Sequence, residues 1–537
     1  MLRHWFTPLL FILGCVSAFV AIHAGWMCVS GIPTRDVLVI LGTLELGVYL
    51  WVRMYSGLKL WQQIQMLCLF VSVQAAVHQV VRLDGFTGDA RPIWVWRWEK
   101  TPQERFAESR SEKPTYKSTP TQSRGRGTQG TADLAKTTPW DSPAFRGRDR
   151  SGKMAAERIE TDWQAHPPQP LWRQSIGSGW STFAVVGDYC VTQEQRKEEE
   201  AVVCYEVRTG REVWVHRDKA HFYEATGDEG PRATPTIHNG RVYALGATGI
   251  LNCLEGNSGK RLWKVNILEE SGATNRLFGM AGSPLVVDDQ DRTLVIVTPG
   301  GKGSAVAAYD AASGNRVWHG GVSDPSYSSP QLAEICGRRQ VLSFNADGLF
   351  AHDLQNGSVL WSVPWISNPA ERNNVCQPVP WASADNGRPD SVFISSGYNM
   401  GSALFEISRE GSGYFVVERW TNRALKAKFS SVVLHQGHIY GFDGASLACV
   451  ELATGERKWK AGHYGYGQLV LAGSNLLVQL EAGEIALVEG APDSHREISR
   501  FTALDGRTWN HPVLAGNLLI VRNDREAACF ELPRQVR

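Results

Sequence analysis

Net charge is almost absent from this chain: 55 Lys and Arg stand against 54 Asp and Glu, leaving +1 over 537 residues. That balance excludes bulk attraction to nucleic acid or to an anionic lipid surface. The ten cysteines include no Cys-x-x-Cys and no adjacent pair, so dithiol redox chemistry and structural zinc have no basis here. The 14 histidines show no metal-ligand spacing. Residues 300–303 (GGKG) imitate a phosphate loop, but no helix follows and the Gly-Lys-Ser/Thr spacing is missing. They read as a hairpin loop. The acidic run Asp288, Asp289 and Asp291 offers hard oxygens that suit Ca2+, yet it falls between two apolar runs and reads as a polar turn.

What the chain does have is a repeat. Five times an acid is followed four residues on by Gly and four further on by Trp: Glu206, Gly210 and Trp214; Glu255, Gly259 and Trp263; Asp310, Gly314 and Trp318; Asp353, Gly357 and Trp361; Glu451, Gly455 and Trp459. A pattern recurring at this period marks a repeat architecture. Each copy reads as strand, tight turn, strand, with the Gly free to take positive φ and the acid positioned to accept turn hydrogen bonds. The Trp offers a large flat surface to a neighbouring sheet. One such unit cannot bury its own faces, so units must stack, and four-stranded units arranged radially make a β-propeller.

Strand-ending aromatics stand at Trp172, Trp214, Trp263, Trp318, Trp361, Trp420, Trp459 and Phe501, on average about 47 residues apart. After Phe501 there is room for three more strands, and the strand around Trp172 has no blade of its own. Pairing them predicts an all-β, eight-bladed propeller of four-stranded blades, closed by N- and C-terminal strands. Cys204, Cys253, Cys449 and Cys529 sit at one equivalent place in four repeats, two residues before the turn acid. That equivalence predicts buried strand positions too far apart to bridge.

Ahead of the propeller lie three apolar stretches, at residues 5–31, 36–52 and about 60–81, read as about three transmembrane helices preceding the ring. Arg3, Arg53 and Lys59 would then face the cytoplasm, leaving the propeller on the other side. The expected domains are a membrane region at 1–83, a flexible Ser/Thr/Pro/Arg/Gly-rich tether at 84–160 and the propeller at 161–537.

The repeat resembles the tryptophan-docking repeat of the pyrroloquinoline-quinone (PQQ) propeller superfamily. Residues 309–318 (YDAASGNRVW) and 447–459 (LACVELATGERKW) match best, and 234–243 (TPTIHNGRVY) carries the blade-opening pattern. Residues 140–152 (WDSPAFRGRDRSG) resemble the Phe-Arg-Gly lead-in of bacterial PQQ-like proteins. The resemblance covers about residues 139–537 and implies one of two functions. One is quinoprotein dehydrogenase chemistry, with PQQ over a Trp beside Ca2+ and an Asp base. The other is the cofactor-free scaffold of the outer-membrane β-barrel assembly machinery.

No general base can be assigned, and the vicinal cysteine pair of several quinoproteins is absent. The reading is therefore a membrane-anchored scaffold at the inner (cytoplasmic) membrane, with its propeller in the periplasm, no cofactor, no nucleic acid and a protein partner on one rim. A PQQ-dependent dehydrogenase passing electrons to the quinone pool is the alternative. Candidate rim or channel contacts are Arg423, Lys426 and Lys428, together with His463, Tyr464 and Tyr466.

Overall fold

The computed structural model describes residues 79–111 and 132–535 apart from 368–371 and 383–388, with a few positions between 59 and 65. The three apolar stretches therefore lie almost wholly outside the described residues. Among the described residues no helix is long and apolar enough to cross a membrane. The chain divides into two compact units, Met1–Thr101 with Ala225–Gly227, and Pro102–Glu224 with Asp228–Arg537. In the first, strand Val81–Phe86 pairs antiparallel with Pro92–Trp96, setting Val81 opposite Trp96 and Leu83 opposite Trp94.

The second unit holds eight blades of antiparallel strands, as the repeat predicts. Blades 1 to 7 occupy residues 184–218, 236–266, 285–320, 331–364, 379–422, 433–461 and 468–502. Blade 8 combines Val513–Ala515, Leu518–Arg522 and Glu526–Glu531 with Gln169–Ser175, which pairs antiparallel with the last of them. Both ends of the propeller thus close one blade, and each blade keeps only short edges, protected by its neighbours.

The Gly and the Trp of one signature serve two different contacts. Each Trp indole donates to a carbonyl of the next blade: Trp172 to Val207, Trp214 to Gly256, Trp263 to Ala311, Trp318 to Leu354 and Trp420 to Leu452, at 2.6 to 3.1 Å. The receiving blade's Gly lies flat under that ring. A Cβ on Gly210, Gly259, Gly314, Gly357 or Gly455 would fall 2.4 to 2.7 Å from the neighbouring indole, and all five take positive φ. Blade 5 has no such Gly, so Trp361 turns back and donates to Gln340 of its own blade at 2.8 Å.

Across the strand pair from the Trp sits a small residue. Cys204, Cys253, Cys449 and Cys529 oppose Trp214, Trp263, Trp459 and Trp172, and all four are buried and unbridged. A register shift follows that pair in every blade, the local twist a bulge supplies.

Of the tether expected at 84–160, residues 112–131 lie outside the described residues, while the rest takes ordered structure. Beyond the hairpin, Pro102–Ser111 is a helix, and residues 141–157 run into the ring's axis. Ser142 bridges Val185 of blade 1, and the Pro143 carbonyl accepts from Ile237 of blade 2. Arg150 bonds the carbonyls of Ser283 and Pro284 at blade 3, and Gln331 of blade 4 donates to the Asp149 carbonyl. Arg146 donates to the Val432 carbonyl at blade 6, Lys153–Met154 adds a parallel strand to blade 7, and Ala156 bridges Gly516 of blade 8. Seven of eight blades are touched. The bonds are main-chain and guanidinium bonds, so a segment too polar to build its own core is still held.

Candidate functional site

The antiparallel meander decides which loops share an end of the ring. Each blade's first strand lies along the axis, next to its neighbours' first strands. Loops leading into a first strand and turns joining second to third strands must then emerge at one end. Turns joining first to second and third to fourth strands emerge at the other. The signature glycines belong to the third-to-fourth turns, so that end is committed to holding blades together.

The opposite, loop-bearing end carries an aromatic and cationic cluster. Lys428 lies with its Nζ 4.9 Å from the Tyr466 ring, 5.8 Å from Tyr398 and 5.9 Å from Phe429. Phe429 stacks on Tyr466 at 5.4 Å and meets Trp509 at 5.2 Å; Trp509 in turn meets Trp180 at 4.8 Å. Arg507 caps the pair, 4.6 Å from Trp509 and 5.2 Å from Trp180. Half-desolvated cation–π contacts of this kind contribute roughly 0.5–2 kcal/mol each.

Acids hold the cluster in place. Glu481 accepts from the Trp509 indole and from the Tyr466 amide, both at 3.0 Å. Arg507 pairs with Asp228 and lies 3.9 Å from Asp524. Below the cluster, hydroxyl and amide bonds link successive blades: Thr182 to Thr234, Thr234 to Ser283 and Ser283 to Ser329, with Gln377 to Ser431 further round. Each of those donors stands two residues before a first strand, so the loops leave a fixed girdle.

The sequence candidates divide. Lys428 and Tyr466 are brought together in the cluster. Lys426 turns away to Asp443 at 2.7 Å. Arg423 and His463 are exposed and make no side-chain contact with the cluster. Tyr464 is corrected: it is 2 % exposed, within the core of blades 6 and 7, and donates to Glu497 at 2.7 Å.

Trp180, Arg507 and Trp509 were missed. A signal for the two tryptophans exists, since Trp180, Arg232, Tyr327, Phe429 and Trp509 each stand four residues ahead of their blade's first strand.

A quinone with Ca2+ would need a flat apolar surface and a set of hard oxygens at this end. The paired indoles of Trp180 and Trp509 offer a flat apolar surface. The acids beside them are tied to Arg507, Trp509 and a backbone amide, and among the described residues no group of three or more His, Cys, Asp or Glu converges. The Asp288 run is a hairpin turn, with Asp288 accepting from His238 and Thr293. The donor set as it stands is not one that Ca2+ requires.

A closed ring of eight blades, joined by indole-to-carbonyl bonds and carrying its blade-to-blade loops at one end, defines a PQQ-like β-propeller. The chain belongs to the family described as outer membrane protein assembly factor BamB, whose profile matches residues 164–330 and 198–461. It is 22% identical to the outer membrane protein assembly factor BamB of Shewanella oneidensis over 304 residues, covering 56% of this chain and 73% of that protein. It is 37% identical over 82 residues to the lanthanide-dependent methanol dehydrogenase of Methylacidiphilum fumariolicum, 15% of this chain and only 12% of that enzyme's length. Among solved structures, the quinohemoprotein alcohol dehydrogenase ADHIIG of Pseudomonas putida HK5 aligns with a TM-score of 0.52 at 12% identity, covering 75% of this chain and 82% of that one. That likeness is one of fold.

Proposed function

We propose that this protein is an extracytoplasmic scaffold: a rigid propeller, anchored at the inner membrane by its N-terminal apolar stretches, that binds a protein partner at its loop-bearing end. The observation that carries the reading is the cluster of Trp180, Lys428, Phe429, Tyr466, Arg507 and Trp509. Trp, Tyr and Arg are the residues over-represented at interface hot spots, because they give large contact area and directed polar groups at low entropic cost. Here they sit on loops fixed by a hydroxyl girdle, so little ordering cost remains to be met on binding. Membership of an assembly-factor family supports a binding role over a catalytic one, and the hydropathy of residues 1–81 supports the anchor.

The test is photo-crosslinking in cells from residues substituted at Lys428, Tyr466 and Trp509, with Asn239 and Gln436 on the opposite end as controls. Adducts from the first three and not from the controls support the reading. Adducts confined to the controls, or none at native expression, overturn it. The paired indoles favour one second reading, a quinoprotein dehydrogenase. Saturable micromolar binding of PQQ in the presence of Ca2+, followed by calorimetry, would replace the scaffold with an enzyme.

A further inference from the structure

The hairpin that follows the apolar stretch at about 60–81 carries three tryptophans at alternate positions, Trp94, Trp96 and Trp98. Alternation sends Trp94 and Trp96 to one face of their strand. Their partners across the pair, Leu83 and Val81, share that face. Leu83, Trp94 and Trp96 are 42 %, 41 % and 48 % exposed, and Trp98, just past the strand, is 69 % exposed. Trp98 stacks on Trp96 with ring centroids 4.9 Å apart and planes 7° apart, so these indoles form an ordered platform. The other face carries the Arg82–Asp84 pair at 3.9 Å.

The turn of the hairpin is closed locally. The Thr87 amide donates to the Arg91 carbonyl at 2.8 Å, and the Thr87 hydroxyl accepts from the Arg91 amide at 3.1 Å. A two-stranded hairpin is nonetheless marginally stable in water unless a further layer packs on its apolar face. An exposed apolar platform with a polar reverse side marks a surface built to be covered.

We propose that this face lies in the interfacial layer of a lipid bilayer, covered by headgroups and the upper part of the acyl chains. Position, chemistry and charge select lipid as the occupant. The apolar stretch runs into Val81, the first residue of the hairpin, so the platform begins where a hydrocarbon layer would end. Indoles, with an apolar body and a single N–H, favour the boundary between hydrocarbon and water. Residues 80–100 hold four Lys and Arg against three Asp and Glu, a balance that gives no pull toward anionic headgroups and leaves the indoles as the attraction. The proposal rests on the membrane anchor proposed above and adds to it a second, folded contact with the bilayer.

The experiment reconstitutes the full chain into phosphatidylcholine nanodiscs with the photo-crosslinking residue p-benzoylphenylalanine placed in turn at Leu83, at Trp98 and at Val322, an exposed apolar position of the propeller. Mass spectrometry identifies each adduct. Phospholipid adducts from positions 83 and 98, and none from 322, are the expected result. Alkaline carbonate extraction of the expressing cells' membranes reads the anchor separately. A chain that resists extraction yet yields no lipid adduct at 83 and 98 overturns this inference and leaves the anchor standing. A chain that carbonate releases and that yields none overturns both. Adducts to a second copy of the chain in place of lipid, at both positions, overturn the inference as well.

Discussion

Replacing Gly259 with Ala should unseat Trp214 and loosen the joint between blades 1 and 2. The added Cβ would fall 2.4 Å from Cε3 and 2.8 Å from Cδ2 of the indole, both rigid atoms. Gly259 also holds φ at +69°, which costs a non-glycine residue about 1 kcal/mol. The overlap adds a further ~1–3 kcal/mol, as overpacking does in tight cores, so the total expected is about 3 kcal/mol. Trp214→Ala alone removes the ring and its 2.9 Å bond to the Gly256 carbonyl, at a cost of about 4 kcal/mol. With the ring gone, Gly259→Ala retains only its backbone cost. The two substitutions should therefore be non-additive by ~2 kcal/mol in a double-mutant cycle. Urea unfolding followed by far-UV circular dichroism measures each corner. Additivity within about 0.5 kcal/mol would refute the idea that the signature Gly exists to receive the neighbouring indole.

Other consequences can be checked more briefly. Glu200, buried and bonded to the Ala247 amide at 2.9 Å, has its pKa raised from 4.5 to about 7, chiefly by burial. The folded state then holds a proton that the unfolded chain releases, so stability is full below pH ~4.5 and falls as pH rises through ~7, by up to about 3 kcal/mol. Glu200→Gln should flatten that decline in melting temperature against pH. Asp218 behaves oppositely. Burial raises its pKa, but bonds from His216 and Asn252 and the charge of Lys264 outweigh it and leave the pKa well below normal. Its contribution is present above pH ~4 and lost on acidification, so Asp218→Asn should lower stability at neutral pH and flatten its decline as the pH falls. Asp443, fully buried, pairs with Lys426 and Lys460 at 2.7 Å and with Arg457 at 3.7 Å. Asp443→Asn leaves these cations without their counter-charge and should cost roughly 3 kcal/mol in urea unfolding.

The eight-bladed ring was legible because one blade's chemistry must repeat to be buried, and the Trp and Gly positions carry that repeat openly. Their meaning was only half legible. The Gly reads locally as a turn residue, whereas its second duty, lying under a Trp of the preceding blade, is visible only once blades are adjacent. Blade 5 shows the converse: its outer strands turn through residues 411–412 with no signature, and Trp361 accordingly bonds within its own blade. Residues 141–157 read as tether because composition counts apolar side chains, and this segment is held by carbonyls from strands spread over more than 300 residues. In the loop-end cluster, Lys428 and Tyr466 stood out in short runs. Trp180 and Trp509 meet only through ring closure, so nothing nearby in sequence joins them.

Blade 8 sets a timetable. Its outermost strand, Gln169–Ser175, is made about 350 residues before the strand it pairs with, Glu526–Glu531. At synthesis rates of about 5–20 residues per second, that strand waits roughly 20–70 s for a partner. During that interval Trp172 has only half its eventual surroundings, and seven completed blades can exist as an open arc. The last blade to be made is the one that locks the first, so a chain cut short before residue 513 would lose its clasp rather than merely its final blade.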